Sequence, residues 1–186
     1  MRKVEIKKKF RSLGTIEPLL KRQLYALGII TELLKPELPP ILVGGCALAY
    51  YTRGVYQTAD IDIAYQDTNA LDKVLRSIEL KKEGRYWLCE EIGIAIKVPV
   101  SSISDAASPI EEVEIGEFKC YVIGIEDLII DRLNACKYWE SRTDCEMAEL
   151  LLIHYKNEID LDYLKKRASQ PENDTWGLIE EALKDE

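Results

Sequence analysis

The chain has 186 residues and a formal net charge of −8; 47% of its residues are hydrophobic and 31% are charged. This composition is typical of a soluble globular protein and excludes disordered and fibrous classes. No apolar run approaches the roughly 18 residues of a membrane-spanning helix, and no apolar stretch follows the basic start. We therefore expect a cytoplasmic protein with no membrane partner.

The first segment of the chain is basic. Residues 1–22 contain eight Lys or Arg against Glu5 and Glu17, a net charge of +6 that leaves −14 for the rest. We predict a basic N-terminal arm and the start of a helix over this segment. Two interpretations stay open: a solvated, partly frayed terminus, and an arm that contacts the phosphates of a nucleic acid.

The cysteine pattern predicts reduced thiols. Five is an odd number, and no pair has the C-x-x-C spacing of a metal or redox motif. With a single histidine in the chain, a zinc site is not expected either. The cysteines are Cys46, Cys89, Cys120, Cys136 and Cys145.

The elements up to residue 65 alternate between helix and strand. Apolar residues at helical spacing predict a helix from Thr15, as its cap, to about Lys35. An apolar run predicts a buried strand over Ile41–Val43, and a short helix follows over Cys46–Arg53. Ala59–Tyr65 is predicted as the next strand.

The pattern then changes twice. Asp67 and Thr68 predict the start of a helix, and four short strands in two hairpins follow. After Gly124 the helical period returns and continues through the tail. We predict an α+β fold with an α/β core over residues 23–124. A C-terminal helical part over residues 125–186 is expected to pack on this core, so that the chain forms one compact unit. The four strands are Tyr86–Glu90, Ile94–Val98, Glu112–Ile115 and Phe118–Ile123.

Two carboxylates share one face of the second strand. Successive strand side chains alternate between faces, so Asp60 and Asp62 point one way while Ile61 and Ile63 point into a core. Aspartate is depleted in strands, and two like charges side by side are costly unless something compensates them. The pair therefore suggests a site for a divalent cation, and Mg²⁺ prefers such oxygen ligands. An ordinary charged strand face is the alternative.

Gly44 and Gly45 lie directly between the first strand and the short helix. Glycine lets the backbone approach a phosphate closely, and the exposed amides at a helix N-terminus favour an anion. An ordinary tight turn would use the same residues. Combined with the aspartates, the glycine pair favours a site for a metal ion and a phosphate chain.

Together these residues resemble the G-G … D-x-D signature of the polymerase-beta-like nucleotidyltransferase superfamily, especially its minimal members and the AbiEii-type abortive-infection toxins. The later stretch GIEDLIIDRLNACKYWESRTDCEMAELL resembles the second block of those relatives. The resemblance spans about residues 41 to 155. It rests in the first block on Gly44, Gly45, Ala47, Arg53, Thr58, Asp60, Ile61 and Asp62, and in the second on Arg132, Ala135, Arg142 and Asp144.

The resemblance implies a fold and an activity. The fold is a mixed twisted sheet flanked by helices, and the activity is transfer of a nucleoside monophosphate from an NTP to an acceptor, with release of pyrophosphate. Asp60 and Asp62 would be the catalytic metal ligands for Mg²⁺ or Mn²⁺. The nucleotide would be bound by Gly44, Gly45, Cys46, Arg53, Thr58, Lys97 and Arg132.

The sequence departs from the family pattern at two points. Cys46 replaces the usual hydroxyl residue after the glycines, although backbone amides can still bind phosphate. Lys97 stands about where the relatives have a third carboxylate. It would repel a second metal ion and could contact a phosphate instead. Two carboxylate pairs remain open as substitutes, Glu90 with Glu91 and Glu112 with Glu114.

Two functions stay open at this stage. The first is a nucleotidyltransferase acting on RNA, a protein or a small molecule, for example as the toxin or regulatory component of a two-gene module with a protein partner encoded nearby. The second is a catalytically weakened member of the fold that binds nucleotide or nucleic acid and acts by association.

Overall fold

A computed structural model of the chain describes residues 3–103 and 106–184. These residues form two compact units. The first contains the described residues up to 103 together with 110–122, and the second contains 106–109 and the described residues from 123 onward. No helix among the described residues is long and apolar enough to cross a membrane.

The first unit contains four helices and all seven strands of the described chain. The helices are α1 (Lys3–Arg11), α2 (Leu19–Leu34), α3 (Gly44–Tyr51) and α4 (Thr68–Ser77). The strands are β1 (Ile41–Val43), β2 (Asp60–Ala64), β3 (Lys81–Glu83), β4 (Tyr86–Cys89), β5 (Ile94–Val100), β6 (Glu111–Ile115) and β7 (Phe118–Val122). The four strands predicted after α4 are present, and β3 is an additional strand.

The seven strands form one mixed sheet in the order β3-β4-β5-β2-β1-β7-β6. The central strand β2 pairs antiparallel with β1 and parallel with β5. Strand β1 also pairs in parallel with β7, whereas the two hairpins β4–β5 and β6–β7 are antiparallel. This mixed sheet with helices confirms the predicted α+β class.

The two faces of the sheet differ in their side chains. Ile61 and Ile63 on β2 are fully buried on one face, as is Ile96, which pairs with Ile61 across β5. On that face α4 is anchored by Trp87 of β4, whose indole N–H donates to Asp72 at 2.8 Å. The other face carries Asp60, Asp62 and Lys97. The sheet thus buries isoleucines on one side and presents charges on the other.

The N-terminal segment is a packed helix in its described part. Ile6 and Phe10 of α1 are buried, and Leu13 is buried in the following 3₁₀ turn. Lys9 pairs with Glu117, and Arg11 pairs with Glu79. An amphipathic helix held by apolar contacts therefore replaces the frayed arm expected from the charge run. The Thr15 hydroxyl does not cap α2 but donates to the Ser12 carbonyl, and α2 begins after Pro18.

The second unit is helical. Its helices are α5 (Ile125–Tyr138), α6 (Arg142–His154), α7 (Leu161–Ala168) and α8 (Trp176–Ala182). Ser141 caps α6 and Asp160 caps α7, each accepting a bond from a backbone amide of the first turn. Asp127 of α5 accepts bonds from the Ser108 amide and the Tyr163 hydroxyl, which secures residues 106–109 in this unit.

A disulfide joins α5 to α6, so the expectation of five reduced cysteines was wrong. Cys136 and Cys145 are bonded across the short turn between the two helices, with their Cα atoms 4.7 Å apart. Cys136 lies in the last turn of α5 and Cys145 in the first turn of α6, so the short connection between the helices brings them together. A spacing of this kind matches no short cysteine motif. Cys46, Cys89 and Cys120 are free.

Candidate active site

The centre of the site is the carboxylate pair at the start of β2. Asp62 pairs with Val43, the last residue of β1, and its side chain is only 10% exposed. The Asp60 side chain is 21% exposed. The strand holds both carboxylates on one face because Ile61 and Ile63 occupy the core on the other.

Lys97 lies between the two carboxylates. It pairs with Asp62 across the parallel strands β2 and β5. Its Nζ is 2.7 Å from Asp60 Oδ2 and 3.1 Å from Asp62 Oδ1. One ammonium therefore bridges both acids and offsets one of their two negative charges.

Thr58 orients Asp60. The Thr58 hydroxyl donates to Asp60 Oδ1 at 2.7 Å, and the Thr58 carbonyl accepts a bond of 2.9 Å from the Gln23 amide. Gln23 is buried on α2 and also accepts a weak bond from the Cys46 thiol. Sequence reasoning missed Gln23. Its only signal was a polar side chain within the apolar pattern of a helix.

The glycine turn is in contact with the acids. Gly44 has a φ of +59°, and a Cβ on it would lie 2.7 Å from Asp62 Oδ2. A Cβ on Gly45 would lie 3.4 Å from the Thr58 side chain. Any larger residue at position 44 would press on the carboxylate and strain the backbone. The turn therefore brings the N-terminus of the eight-residue helix α3 directly against the Asp62 carboxylate.

The Cys46 side chain packs against α2. It is fully buried and its thiol donates to Gln23, 3.5 Å away. Burial, with the nearby charge of Asp62, raises the pKa of the Cys46 thiol. The thiol therefore stays protonated and is no nucleophile, so only the backbone amide of Cys46 is available to an anion.

Two predicted nucleotide-binding arginines lie outside this cluster. Arg53 is exposed and follows the C-terminal end of α3, so about 12 Å of helix separates it from Gly44. Arg132 belongs to the second unit, where Asp144 and Asp131 pair with its guanidinium. The cluster of Gly44, Gly45, Thr58, Asp60, Asp62 and Lys97 is local to the first unit.

The pKa values of the two aspartates are shifted in opposite directions from the usual value. Burial disfavours the charged form of Asp60, but the bonds from Lys97 and Thr58 outweigh it, and the pKa lies below its usual value. Burial is stronger at Asp62 and exceeds the effect of Lys97, so the pKa of Asp62 is raised. Burial also disfavours the ammonium, yet the two acids together raise the pKa of Lys97. At neutral pH the cluster therefore carries one poorly compensated negative charge.

Neither of the open carboxylate pairs completes the cluster. Glu90 and Glu91 are in a 3₁₀ turn after β4, and Glu112 bonds to Lys119 on the other hairpin. Strand β6 lies three strands from β2, which is about 14 Å. Within the described ranges, no three His, Cys, Asp or Glu side chains are grouped to hold a metal ion.

The described cluster nevertheless fits one divalent cation. Asp60 and Asp62 supply hard carboxylate oxygens, which suit Mg²⁺. Asp62 Oδ1 is buried and lies 3.1 Å from the Lys97 ammonium, so this oxygen already faces a cation. The Lys97 ammonium already occupies a cation position between them. The site can thus hold one metal ion in exchange for this ammonium.

The comparisons with known proteins identify a family for the chain. No curated protein matches the chain. One family does, described as a nucleotidyltransferase of unknown function (DUF6036), and its match covers residues 24–184. The matched range includes the mixed sheet, the carboxylate pair and the helical tail, and it supports the predicted nucleotidyltransferase fold. The chain therefore belongs to the nucleotidyltransferase family of unknown function DUF6036.

Proposed function

We propose that the protein transfers a nucleoside monophosphate from an NTP to an acceptor at the cluster of Asp60, Asp62 and Lys97. The observation that carries the proposal is the convergence of two carboxylates on one cation position, directly beside the glycine turn. A cation site next to the backbone amides that begin α3 suits a metal-bound triphosphate. Family membership supports the reaction class.

Asp60 and Asp62 are the proposed ligands of Mg²⁺ or Mn²⁺. When bound, the ion supplies positive charge that stabilises the phosphate oxygens during the displacement. Thr58 holds Asp60 in place, and the absence of a side chain at Gly44 lets the turn lie against Asp62 without displacing its carboxylate. The backbone amides after β1 face the phosphate chain.

Lys97 has two roles in this proposal. Without nucleotide it lies between the two acids and reduces the repulsion between them. With nucleotide bound, its ammonium is available to a phosphate oxygen. Since lysine remains protonated at neutral pH, it can serve both partners without titrating.

The reaction balances without a further reagent. The acceptor hydroxyl oxygen forms a bond to the α-phosphorus, and the bond from that phosphorus to the bridging oxygen breaks. Pyrophosphate leaves with the electron pair, and the hydroxyl proton passes to water.

Transfer of radiolabel from an α-³²P NTP tests the proposal. We expect Mg²⁺-dependent labelling with candidate RNA, protein or small-molecule acceptors, lost at least about 100-fold in Asp60→Asn and Asp62→Asn, the usual scale for removing an electrostatic catalytic group. Asp162→Asn, an exposed residue of α7, is the matched control and should behave as wild type. Equal labelling by all four proteins would contradict the proposal.

Lys97 also favours a second candidate, a catalytically weakened member that binds nucleotide and acts by association. The ammonium stands about where the superfamily that the sequence resembles has a third carboxylate, and it pairs with both proposed metal ligands. Calorimetry that detects Mg²⁺-dependent NTP binding, in a protein that labels none of the acceptors, would favour this candidate. In that case Lys97→Asp, which restores a carboxylate, should gain labelling. Under the first candidate Lys97→Asp should lose it.

The resemblance to AbiEii-type toxins and the role in a two-gene module stay predictions, because the family match is to DUF6036. Growth arrest on expression, absent in Asp60→Asn, would support them.

A further inference from the structure

A large cavity opens on the charged face of the sheet in the first unit. Its volume is about 650 Å³, which is within the usual range for sites that bind small molecules. Its floor includes Ile41 of β1, Ala64 of β2 and Tyr121 of β7, which are neighbours across the three strands. Leu38 and Ile110 add exposed apolar surface at its walls. The cavity is therefore apolar at its base.

The cavity lies on the same face as the carboxylate pair. Ala64 follows Asp62 by two residues along β2, and Ile41 precedes Val43 by two along β1. Side chains two apart on a strand share a face and are about 7 Å apart. The glycine turn follows Val43, at the end of β1 that is further from the cavity. Along the strands Asp62 is therefore nearer to the cavity than Asp60 is, and Gly44 follows Val43 on the side away from the cavity.

This order along the strands matches the requirements of an in-line displacement. The attacking oxygen and the leaving pyrophosphate must lie on opposite sides of the reacting phosphorus. With pyrophosphate at the glycine turn, the acceptor oxygen must approach from the side of the cavity.

Acidic side chains surround the apolar floor. Glu37, Asp67 and Glu112 line the cavity, and none of its described lining residues is basic. Glu112 is already neutralised by Lys119. Asp67 caps α4 through Oδ1 alone, and Glu37 forms no ion pair within the described part of the chain. Glu37 and Asp67 therefore leave a negative potential for a ligand.

The pKa of Tyr65 is affected by this negative potential. Its side chain lines the cavity and is buried. Burial, followed by the charges of Asp67 and Glu37, raises the pKa of Tyr65. A negative field of this kind attracts a cation and repels the phosphates of a nucleic acid.

We propose that this cavity binds the acceptor of the reaction, and that the acceptor is a small cation with an apolar body and a hydroxyl group. The apolar part packs on Ile41 and Ala64, and the positive charge faces Glu37 and Asp67. The hydroxyl is directed toward Asp62. This proposal rests on the proposed function, which it extends by naming the acceptor class.

The transfer remains balanced for such an acceptor. Its hydroxyl oxygen forms the bond to the α-phosphorus as the bond to the bridging oxygen breaks. Pyrophosphate leaves with the electron pair, the hydroxyl proton goes to water, and the positive charge of the acceptor is unchanged.

Binding of two matched pairs of probes tests the acceptor site without NTP or metal. Tyramine is compared with 4-hydroxyphenylacetate, and tryptamine with indole-3-acetate, by calorimetry and ligand-observed NMR. We expect each cation to bind about tenfold more tightly than its anion, the effect of two partly exposed carboxylates. Equal binding within both pairs, or tighter binding of the anions, overturns the proposal. So does absence of binding by all four probes.

Three variants localise the binding. The double variant Glu37→Gln with Asp67→Asn should remove the preference for the cations, and asparagine retains the cap of α4. Ala64→Leu fills the floor and should abolish binding of the cations. Glu111→Gln, beside Glu112 on β6 but outside the cavity lining, is the matched control and should retain wild-type binding. Wild-type binding by the double variant contradicts the site.

The acceptor class and the reaction can fail separately. If the protein labels RNA or a protein but binds no cation in preference to its anion, the acceptor proposal is wrong and the transferase proposal stands. If the cations bind as expected but no acceptor of any class is labelled from any NTP with Mg²⁺, the cavity is a cation site and the transferase proposal is wrong.

Discussion

Asp60 and Asp62 have opposite effects on the free energy of unfolding at neutral pH. The lowered pKa of Asp60 means that its charge stabilises the fold, an effect lost as pH falls through that pKa. The raised pKa of Asp62 means that its charge costs stability, and this cost is complete once pH exceeds that pKa. The site therefore retains a destabilising charge, as expected where a ligand supplies the missing partner.

This difference predicts opposite stability changes for two isosteric substitutions. Without divalent ions at pH 7, Asp62→Asn should raise the free energy of unfolding by up to about 1 kcal/mol, because it removes a poorly compensated charge. Asp60→Asn should lower it by about 1 kcal/mol, because it weakens the bonds from Thr58 and Lys97. Urea unfolding measures both, with Asp162→Asn as control. Destabilisation of similar size by the two substitutions would refute this account of the pair.

Single residues of the site differ in how well the sequence predicted their positions. Alternation along β2 was sufficient to place Asp60 and Asp62 on one face, because Ile61 between them must be buried. Sequence could not show that the Lys97 ammonium sits between both acids, since this depends on the register of β5 against β2. Gln23 was missed because its partner Thr58 is 35 residues away.

At the scale of elements, the glycine turn between β1 and α3 must fit closely against the Asp62 carboxylate. Gly44 lies at positive φ against Asp62 Oδ2. Gly54, three residues after α3 ends, also has a positive φ but no atom near its Cβ position. Substitution of either glycine would strain the backbone, but only substitution of Gly44 would also place a side chain against the site.

Gly44→Ala should therefore cost more function than Gly54→Ala at similar stability cost. Each substitution places alanine at positive φ, which we expect to cost about 1 kcal/mol of unfolding free energy. Only the first also displaces the Asp62 carboxylate, so Mg²⁺ affinity should fall at least about tenfold in Gly44→Ala and remain unchanged in Gly54→Ala. Calorimetric titration with Mg²⁺ and urea unfolding check this pair. Equal Mg²⁺ affinity in both variants would show that the turn does not shape the site.

Elements with strong local signals were predicted well. Gly93 and Gly116 mark the turns of the two hairpins, and both have positive φ, so the strands beside them were recognisable from sequence. Helix α1 was missed because its charge run resembles a frayed terminus, whereas Ile6 and Phe10 are buried by tertiary contacts. The disulfide was missed because it depends on how α5 and α6 pack.

At the scale of the whole molecule, the chain passes between its two units more than once. Residues 106–109 belong to the second unit, although residues on both sides of them in sequence belong to the first. Ser108 is held there by its bond to Asp127. The carboxylate cluster and the cavity are confined to the first unit, and the disulfide to the second.

Reduction should therefore affect stability without affecting the site. Closing a loop of about ten residues is worth about 2–3 kcal/mol in the chain-entropy treatment. The double variant Cys136→Ser with Cys145→Ser should lose about this much unfolding free energy and become insensitive to reductant, while its Mg²⁺ affinity stays at the wild-type value. Cys89→Ser, a free cysteine, is the control. Five reactive thiols in the unfolded, unreduced wild-type protein would disprove the disulfide.

The parallel pairing of β1 with β7 has a consequence for biosynthesis. Leu42 pairs with Val122, 80 positions later, so at roughly 5–20 residues per second the ribosome needs about 4–16 s to supply the missing neighbour. During that interval β1 can already pair with β2. The other edge of this apolar strand, which later pairs with β7, is still unpaired. Such an edge can recruit a strand from another nascent chain. Slower initiation or a holdase chaperone should therefore favour the native product.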